Sequence, residues 1–367
     1  MPNIVPQYPA LLYQRYLIRE VSLAVLLVLA ALLSLYSFFD LLGELRNLGR
    51  GTFYLPQITM YVALRMPGRA YELMPIAVLI GSLYALTTLA RHSEIDVLRT
   101  SGLPTGTLLT TLLKIASVFA LFTLFCGELL APSAERAAQH LYISSTQRLI
   151  GQEFRSGVWL KDGATFINVR SVTPDSRLLG VRIYHFTADN RELAAVSEAA
   201  RGKHLGDGRW QLEDVTHTRL SEKRATIERQ AQSTWESNVT PNILDVLVVP
   251  PDRMSIYQLH AYTRHLAGNK QKTSRYRIAL WKKIVYPLST LVMIALALPF
   301  GYTHTRSSSV SLKIFLGVMT GIFFYMLNGL FSSLGTIHAW SPWLSAFIPS
   351  LLFFLVAMTM LRWVERR

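Results

Sequence analysis

Cysteine is almost absent from this sequence. Cys126 is the one cysteine among 367 residues, and it lies in a strongly apolar stretch. A single cysteine cannot form an internal disulfide framework, and it cannot supply the several thiolates of a cysteine-based metal site. The sequence therefore excludes a disulfide-stabilised scaffold and thiol-based redox chemistry.

Charged residues are also scarce. They make up 16% of the chain, whereas apolar residues make up 51%. These proportions are too apolar for an ordinary soluble protein of this length. The composition therefore indicates a membrane protein.

Motifs for catalysis and for nucleotide binding are absent as well. The sequence has no G-x-x-x-x-G-K-[ST] loop, no H-E-x-x-H pair and no G-x-S-x-G elbow. The nine histidines are scattered along the chain, so we interpret them as solvated or packed rather than as metal ligands. Glu94 and Asp96 are two residues apart on a predicted helix and point in different directions, which makes them a poor acid and base pair. The sequence predicts no enzyme, no catalytic residue, no metal and no cofactor.

Long uncharged runs predict the membrane spans, because about 20 helical residues cross a hydrocarbon core. Five uncharged runs approach or exceed that length: residues 21–39, 73–90, 284–303, 314–337 and 339–361. A sixth run, residues 103–131, is interrupted only by Lys114 and Glu128. We expect six spans, and we expect the first to be retained because it is longer than the core of a signal peptide.

Basic residues near the span ends predict the orientation, since lysine and arginine prefer the cytoplasmic side. Arg15, Arg19, Arg91 and Arg362 all fall on one side of the membrane if both termini are cytoplasmic. We therefore expect cytoplasmic termini and an outward location for the long insert between the third and fourth spans.

That insert has the pattern of an all-β domain. Apolar and polar residues alternate around Asp-Gly pairs at 162–163 and 207–208, and a third turn is expected at 189–190. Several such hairpins predict an antiparallel sandwich or a β-jelly roll. We expect its interior to contain three tryptophans, Trp159, Trp210 and Trp235.

The predicted fold is thus an α-helical membrane protein with an inserted all-β domain. Residues 1–131 are expected to hold spans one to three, and residues 274–367 spans four to six. Residues 132–273 are expected to hold the β domain and a short amphipathic connector helix at 255–268, which Ser255 can cap.

Basic residues collect at the outward level of the spans, where the usual preference disfavours them. Residues 270–283 contain six of them and no acid, and Arg65 and Arg69 lie one turn apart in the second span. An arginine costs at least about 2.5 kcal/mol at the membrane centre and less near the interface, so it usually faces a cavity or a partner. Clustered arginine and lysine recognise phosphates and carboxylates, which favours an anionic lipid as ligand. The candidate substrate-binding residues are Arg46, Arg65, Arg69, Arg136, Lys282 and Lys283.

Two simpler interpretations of these cations stay open. The basic residues of 270–283 can extend their charged ends to the membrane interface. Arg69 and Glu72, three residues apart, can form a buried pair that holds helices together.

A polar stretch between spans two and three, RHSEIDVLRTSG at 91–102, has the signals of a complete short helix. Ser93 can cap it, Glu94 and Asp96 lie in its first turn, Arg99 lies in its last turn, and Gly102 can end it. Such a helix is either a plain interfacial turn or the element through which a permease contacts a separate ATPase. The candidate ATPase-coupling residues, on a helix at about 92–101, are Ser93, Glu94, Asp96, Leu98 and Arg99.

Over nearly its whole length the chain resembles a known family. The resemblance is carried by ARHSEIDVLRTSG (90–102), GELLAPSAE (127–135), GVWLKDGATFI (157–167), SIYQLHAYTRHL (255–266) and RYRIALWKKIVYPLSTLVMIALALPF (275–300). These stretches are similar to the lipopolysaccharide export permeases of the LptF/LptG family.

The resemblance implies an inner-membrane permease subunit with a periplasmic β-jelly roll. It also implies a homologous permease partner, LptF, a dimer of the ATPase LptB, the single-span protein LptC and the periplasmic bridge protein LptA. The implied cargo is lipopolysaccharide, taken from the outer leaflet of the inner membrane, and no nucleic acid is expected. Glu94 occupies the position of the acidic residue that contacts the ATPase in the family.

Three other functions stay open from the residues alone. A membrane-anchored periplasmic scaffold or sensor would need the β domain but not the polar helix. A lipid-modifying enzyme would need a titratable pair, for which Arg69 with Glu72 is the candidate. An exporter of another anionic lipid would carry the same charges.

Overall fold

The computed structural model of the protein describes residues 8–101, 104–146, 156–173, 177–187, 192–221, 224–241, 249–269, 271–302, 310–338 and 340–366. The helices of these residues are α1 (Tyr8–Glu44), α2 (Leu55–Arg91), α3 (Glu94–Thr100), α4 (Thr105–Phe125), α5 (Ala131–Thr146), α6 (Ile256–Gly268), α7 (Ser274–Tyr302), α8 (Val310–Ile337) and α9 (Pro342–Glu365).

Six helical stretches among the described residues are long and apolar enough to cross a membrane. They lie in α1, in α2, in α4 continued through α5, in α7, in α8 and in α9, and they are 22 to 42 residues long. Each therefore reaches the length of about 20 residues that a hydrocarbon core requires. The prediction of six membrane helices is confirmed.

The described residues fall into two compact units. The transmembrane unit comprises those of Met1–Asp40, Arg65–Pro132 and Ser274–Arg367, and the sheet unit comprises those of Leu41–Leu64 and Ser133–Thr273. The sheet unit thus includes the end of α1 and the beginning of α2. The sequence pattern did not suggest this assignment, because those residues continue the two apolar helices without interruption.

Helix α2 is the most buried span of the transmembrane unit. Met74, Ala77 and Leu83 are fully buried, as expected of a helix that is apolar on all sides. Gly81 lets α1 approach α2 closely, since a Cβ atom there would lie 2.5 Å from the Cα atom of Val25. The N-terminal half of α1 is therefore packed tightly against α2.

The third span changes its helical winding where α4 meets α5. A π-helical turn, Cys126–Leu130, separates the two helices, and the N–H of Ala131 donates to the carbonyl of Cys126 five residues earlier. In the same pattern the carbonyl of Gly127 would accept from residue 132, which is a proline and has no N–H. The sequence therefore leaves the Gly127 carbonyl in need of a donor from elsewhere.

The sheet unit contains one six-stranded antiparallel sheet with its strands in consecutive order. The strands are β1 (Val158–Asp162), β2 (Thr165–Val172), β3 (Leu178–Phe186), β4 (Leu193–Gly206), β5 (Arg209–Ser221) and β6 (Arg224–Glu236). The hairpins predicted at 162–163 and 207–208 are confirmed. The turn predicted at 189–190 lies outside the described residues, and the jelly roll stays a prediction.

The predicted interior of the sheet is correct for two tryptophans and wrong for one. Trp210 is fully buried, and Trp235 packs against the same core. The centroids of these two tryptophan rings are 6.4 Å apart. Trp159 is 51% exposed, because the residues on either side of it in β1 face the core and successive strand residues alternate between faces. On the other face it stacks against Tyr184 at 5.7 Å.

The connector helix predicted at 255–268 is present as α6. Ser255 and Gln258 form a reciprocal capping box at its start. Leu259, Tyr262 and Leu266 are buried along one side of it.

Candidate functional site

Arg69 of α2 is the centre of an ionic cluster in the transmembrane unit. Its Nε and Nη2 atoms donate to the two carboxylate oxygens of Asp40, near the end of α1, at 3.0 and 2.8 Å. Its Nη1 atom donates to a carboxylate oxygen of Glu72 at 3.1 Å. The centre of the Tyr36 ring lies 5.5 Å from its guanidinium carbon. The pairing with Glu72 agrees with the open interpretation of a buried pair. One guanidinium therefore lies between two carboxylates, and the three groups carry a net charge of −1.

The sequence did not predict Asp40 as the partner of Arg69, because 29 residues separate them. A usable signal was present, since Asp40 is the first charged residue after the uncharged run at 21–39. An acid at the end of one span and a base inside the next are suitable partners when the two helices lie side by side.

Lys283 of α7 is buried, with 3% of its surface exposed. Its ammonium donates to the carbonyl of Gly127, lies 3.6 Å from a carboxylate oxygen of Glu128, and lies 4.8 Å from the centre of the Tyr71 ring. Lys283 thus supplies the donor that Pro132 cannot supply to the π-helical turn. This contact is an internal, structural use of a residue predicted to meet phosphate.

The other predicted substrate-binding cations are more accessible. Arg65 and Lys282 are half-buried and belong to the transmembrane unit, whereas Arg46 and Arg136 are exposed and belong to the sheet unit. The structure places Arg65 one turn before Arg69 on α2, so their side chains emerge on the same face of that helix. The roles of these four residues in binding stay predictions.

The predicted ATPase-coupling helix is present as α3, which begins at Glu94. Ser93 has a φ of +60°, unlike the extended backbone of most N-caps, and its carbonyl accepts the first helical hydrogen bond from Val97. Asp96 is exposed and Val97 is 64% exposed. The side chain of Arg99 and the residue Gly102 lie outside the part of the chain that the structure describes. The structure thus presents a short helix with an exposed acidic and apolar surface.

A pocket of about 270 Å³ lies beside α3 within the transmembrane unit. Tyr16 of α1, Glu94 and Leu98 of α3, and Leu108 of α4 line it. The Tyr16 hydroxyl lies within interacting distance of the Glu94 carboxylate. Glu94 is therefore half-buried and held toward α1.

The sheet unit contains a buried ion pair that the sequence did not predict. Arg253 donates to Glu135 of α5, and the two residues are 8% and 2% exposed. Gln139 donates to the other carboxylate oxygen of Glu135 at 3.1 Å. The pair fixes the segment before α6 onto α5.

Asp162, at the end of β1, joins that strand to the segment after β6. It accepts hydrogen bonds from the Ser237 hydroxyl at 2.7 Å and from the backbone and side chain of Asn238 at 2.8 and 3.0 Å. Burial alone would raise the pKa of Asp162, but these hydrogen bonds outweigh burial and hold its pKa below the usual range.

A groove of about 960 Å³ lies on the sheet. Trp159, Tyr184, Arg170 and Arg182 are among its lining residues, and Arg182 pairs with Glu198 at 3.0 Å. Within the described part of the chain, His, Cys, Asp and Glu form no group of three or more that could hold a metal ion.

Comparison with known proteins agrees with this architecture. The family model described as lipopolysaccharide export system permease LptF/LptG matches residues 15–363. The lipopolysaccharide export system permease protein LptG of Escherichia coli K12 is 32% identical over 352 residues, which cover 95% of this chain and 97% of that protein. The LptG protein of Haemophilus influenzae Rd is 29% identical over 340 residues, covering 92% and 95% of the two chains. The chain belongs to the LptF/LptG family of lipopolysaccharide export system permeases.

Proposed function

We propose that this protein is the permease subunit of an ABC-type lipopolysaccharide exporter. It extracts lipopolysaccharide from the outer leaflet of the inner membrane and passes it to a periplasmic bridge, and a separate ATPase supplies the energy. The observation that supports this function is family membership over residues 15–363, which include all six membrane helices and the sheet unit.

The proposed orientation has both termini in the cytoplasm and the sheet unit in the periplasm. The distribution of Arg15, Arg19, Arg91 and Arg362 supports it, because lysine and arginine prefer the cytoplasmic side of a membrane. In this orientation α3 is cytoplasmic, and the Arg69 cluster lies toward the outer leaflet.

The accessible cations are proposed to meet the phosphates of the lipid. Arg46 and Arg136 are exposed and Arg65 and Lys282 are half-buried, so an anionic group can reach each of them. Arginine offers phosphate a planar fork of donors, and lysine offers a point charge. Because the ammonium of Lys283 already serves the Gly127 carbonyl, we assign Lys283 to the structure of the third span.

Helix α3 is proposed to transmit the motion of the ATPase. Its exposed residues, Asp96 and Val97, supply a polar and an apolar contact for a groove on the partner. Glu94, Ser93, Leu98 and Arg99 complete the proposed coupling surface. The proposed assembly also contains the homologous permease LptF, a dimer of LptB, LptC and the bridge protein LptA.

Co-purification tests this function directly. The full chain, expressed with its neighbours in the bacterial membrane and isolated in mild detergent, should carry lipopolysaccharide and an ATPase subunit, both identified by mass spectrometry. Neither component would accompany a membrane-anchored scaffold, so their joint absence would overturn the proposal.

A matched pair of variants tests the coupling helix. Glu94→Arg should abolish ATP-dependent lipid release, because it reverses a charge of the proposed coupling helix and removes the contact of Glu94 with Tyr16 of α1. Lipid binding should be unchanged, since none of the cations proposed to meet the lipid lies on α3. Asp162→Asn, which alters a carboxylate of the sheet unit, should leave release intact. Normal release by Glu94→Arg would remove α3 from the mechanism.

A further inference from the structure

The ion pair between Arg69 and Asp40 has the geometry of a phosphate site that a carboxylate already occupies. The Nε and Nη2 donors of Arg69 meet both oxygens of Asp40 at 3.0 and 2.8 Å, which is the parallel, two-point arrangement that arginine also uses for phosphate. Arg69 and Asp40 retain 19% and 17% side-chain exposure. Water and small anionic groups can therefore reach the pair.

A phosphate monoester can compete with Asp40 for the fork of Arg69 because it carries more negative charge than a carboxylate. Arg69 contacts both Asp40 and Glu72, so the two carboxylates share one guanidinium. Arg65 lies one turn away on the same face of α2 and adds a second cation to this region. A phosphate monoester carries about −1.5 to −2 charges at neutral pH, so it competes with the single charge of Asp40 for the same fork.

Asp40 also holds the less buried half of α1. The inward half of α1 buries Leu17, Val21 and Val25, whereas no residue from 30 to 40 is fully buried. In this outward half Leu32 and Leu33 pack against the core but stay partly exposed. Among the described contacts of this outward half, the two hydrogen bonds between Asp40 and Arg69 are the strongest polar attachment to α2. Loss of that contact would loosen the outward half of α1, which would then be held by the partly exposed side chains of Leu32 and Leu33, and leave its inward half attached.

We propose that Asp40 is a carboxylate latch, and that a phosphate monoester of the exported lipid replaces it on the fork of Arg69 and so releases the outward half of α1. No covalent bond changes in this exchange. Asp40 acts as a positioning residue, since the Nε and Nη2 donors of Arg69 are available to phosphate only when Asp40 does not occupy them. The inference rests on the proposed export of a phosphorylated lipid, and it assigns the event by which such a lipid is sensed.

Distances between labels on α1 and α2 test the exchange. Leu35→Cys with Met66→Cys places spin labels on two exposed residues of the outward region, and Leu23→Cys with Tyr84→Cys places them on the inward region. The native Cys126 is buried and does not compete for label. The sample is the full chain with its partner subunits in lipid nanodiscs, without ATP. The probes are lipid A bearing its phosphate monoesters, the same lipid after enzymatic dephosphorylation, and phosphatidylglycerol.

Phosphorylated lipid A should lengthen the outward distance and leave the inward distance unchanged. The dephosphorylated lipid and phosphatidylglycerol, a diester with a single charge, should change neither. In Asp40→Asn the outward distance should be long without lipid, and phosphorylated lipid A should bind about tenfold tighter because no carboxylate competes. Glu44→Gln, which neutralises a carboxylate of α1 that bonds Asn47 instead of Arg69, is the matched control and should behave as the wild type.

Different failures have different meanings. Equal lipid A affinity and equal label distances in Asp40→Asn and the wild type would overturn the latch while leaving lipid export intact. An equal response to phosphatidylglycerol would overturn the assignment to a phosphate monoester. If no form bound lipid A, the proposed function would fail together with the latch. Asp40→Glu keeps the charge and lengthens the side chain, so it should restore the short outward distance of the wild type. That restoration would show that a long distance in Asp40→Asn comes from loss of the carboxylate and not from misfolding.

Discussion

Replacing Lys283 by methionine tests whether this lysine is a structural donor to the third span. The change removes the ammonium from the Gly127 carbonyl, which Pro132 leaves without a helical partner. A buried polar group without a hydrogen bond costs about 1–3 kcal/mol, and loss of a cation from the face of Tyr71 costs about 0.5–2 kcal/mol. Methionine fills similar space and carries no charge that must be buried, so part of the lost free energy of unfolding is regained. We expect Lys283→Met to lower the free energy of unfolding by about 2 kcal/mol.

Thermal unfolding in detergent, followed by circular dichroism, measures this effect. For a chain of 367 residues, a loss of about 2 kcal/mol should lower the midpoint by about 3 °C. Lys114→Met is the matched control, because Lys114 is exposed on α4, and it should change stability by less than about 0.5 kcal/mol. The decisive variant is Pro132→Ala, which restores a backbone donor to the turn. In that background Lys283→Met should cost much less, and an unchanged cost would refute the reasoning.

Three further predictions concern local packing and pH. Gly127→Ala should destabilise the third span by about 1–3 kcal/mol, measured by thermal unfolding, because the new Cβ atom would lie 2.6 Å from the Tyr71 ring. Glu135→Gln should cost about 3–5 kcal/mol by leaving Arg253 charged and buried, and replacing both residues by leucine should recover most of that loss in a double-mutant cycle. Since the pKa of Asp162 is depressed in the folded state, its contribution to stability should be present above the unfolded pKa of about 3.9 and be lost as the pH falls through the folded value. Unfolding midpoints of Asp162→Asn between pH 7 and pH 3 should lack this acid-dependent component.

The number of spans was predictable because hydropathy records what the membrane requires. The uncharged runs mark the ends of the helices less well, since the run that begins at residue 21 lies in a helix that begins at Tyr8, and the run that begins at residue 73 lies in a helix that begins at Leu55. An uncharged run locates the part of a helix that lies in the hydrocarbon core of the membrane. The backbone hydrogen bonds of the same helix continue through the charged turns on either side of that run. In α2 the uncharged run therefore leaves out the 18 helical residues from 55 to 72, which include Arg65 and Arg69, although the sequence had assigned those two arginines to the second span.

The hairpins of the sheet were predictable for a different reason. The Asp-Gly pairs supply the positive φ angles of tight turns, which are +50° at Asp207 and +71° at Gly208. The face of Trp159 was wrong because a tryptophan was assigned to the core by its size, whereas the alternation around it in β1 already placed it outside. The period of the strand was the better guide.

The partners of the charged residues were not predictable, because they lie far apart in sequence. Lys283 and Gly127 are 156 residues apart, and Glu135 and Arg253 are 118 residues apart. Only the packing of the spans and of α5 brings such groups together. A π-helical turn also leaves little signal in a sequence. Here the signal is Pro132, which follows a glycine-containing run and lacks the N–H that would continue the helical hydrogen bonds.

The cations of the membrane region therefore divide into two kinds. Every buried cation must be offset by an anion or a dipole. For Lys283 the offset includes the backbone carbonyl of Gly127, which is part of the third span and cannot be displaced by a ligand. For Arg69 the offset is a carboxylate on the less buried half of α1, and we propose that a phosphate monoester replaces it. Neutralising Lys283 should thus lower stability with every lipid alike. Arg69→Lys, which keeps the charge but loses the fork, should instead reduce the preference for phosphorylated over dephosphorylated lipid A in a binding assay, and equal preferences in this variant and the wild type would show that the fork does not read phosphate.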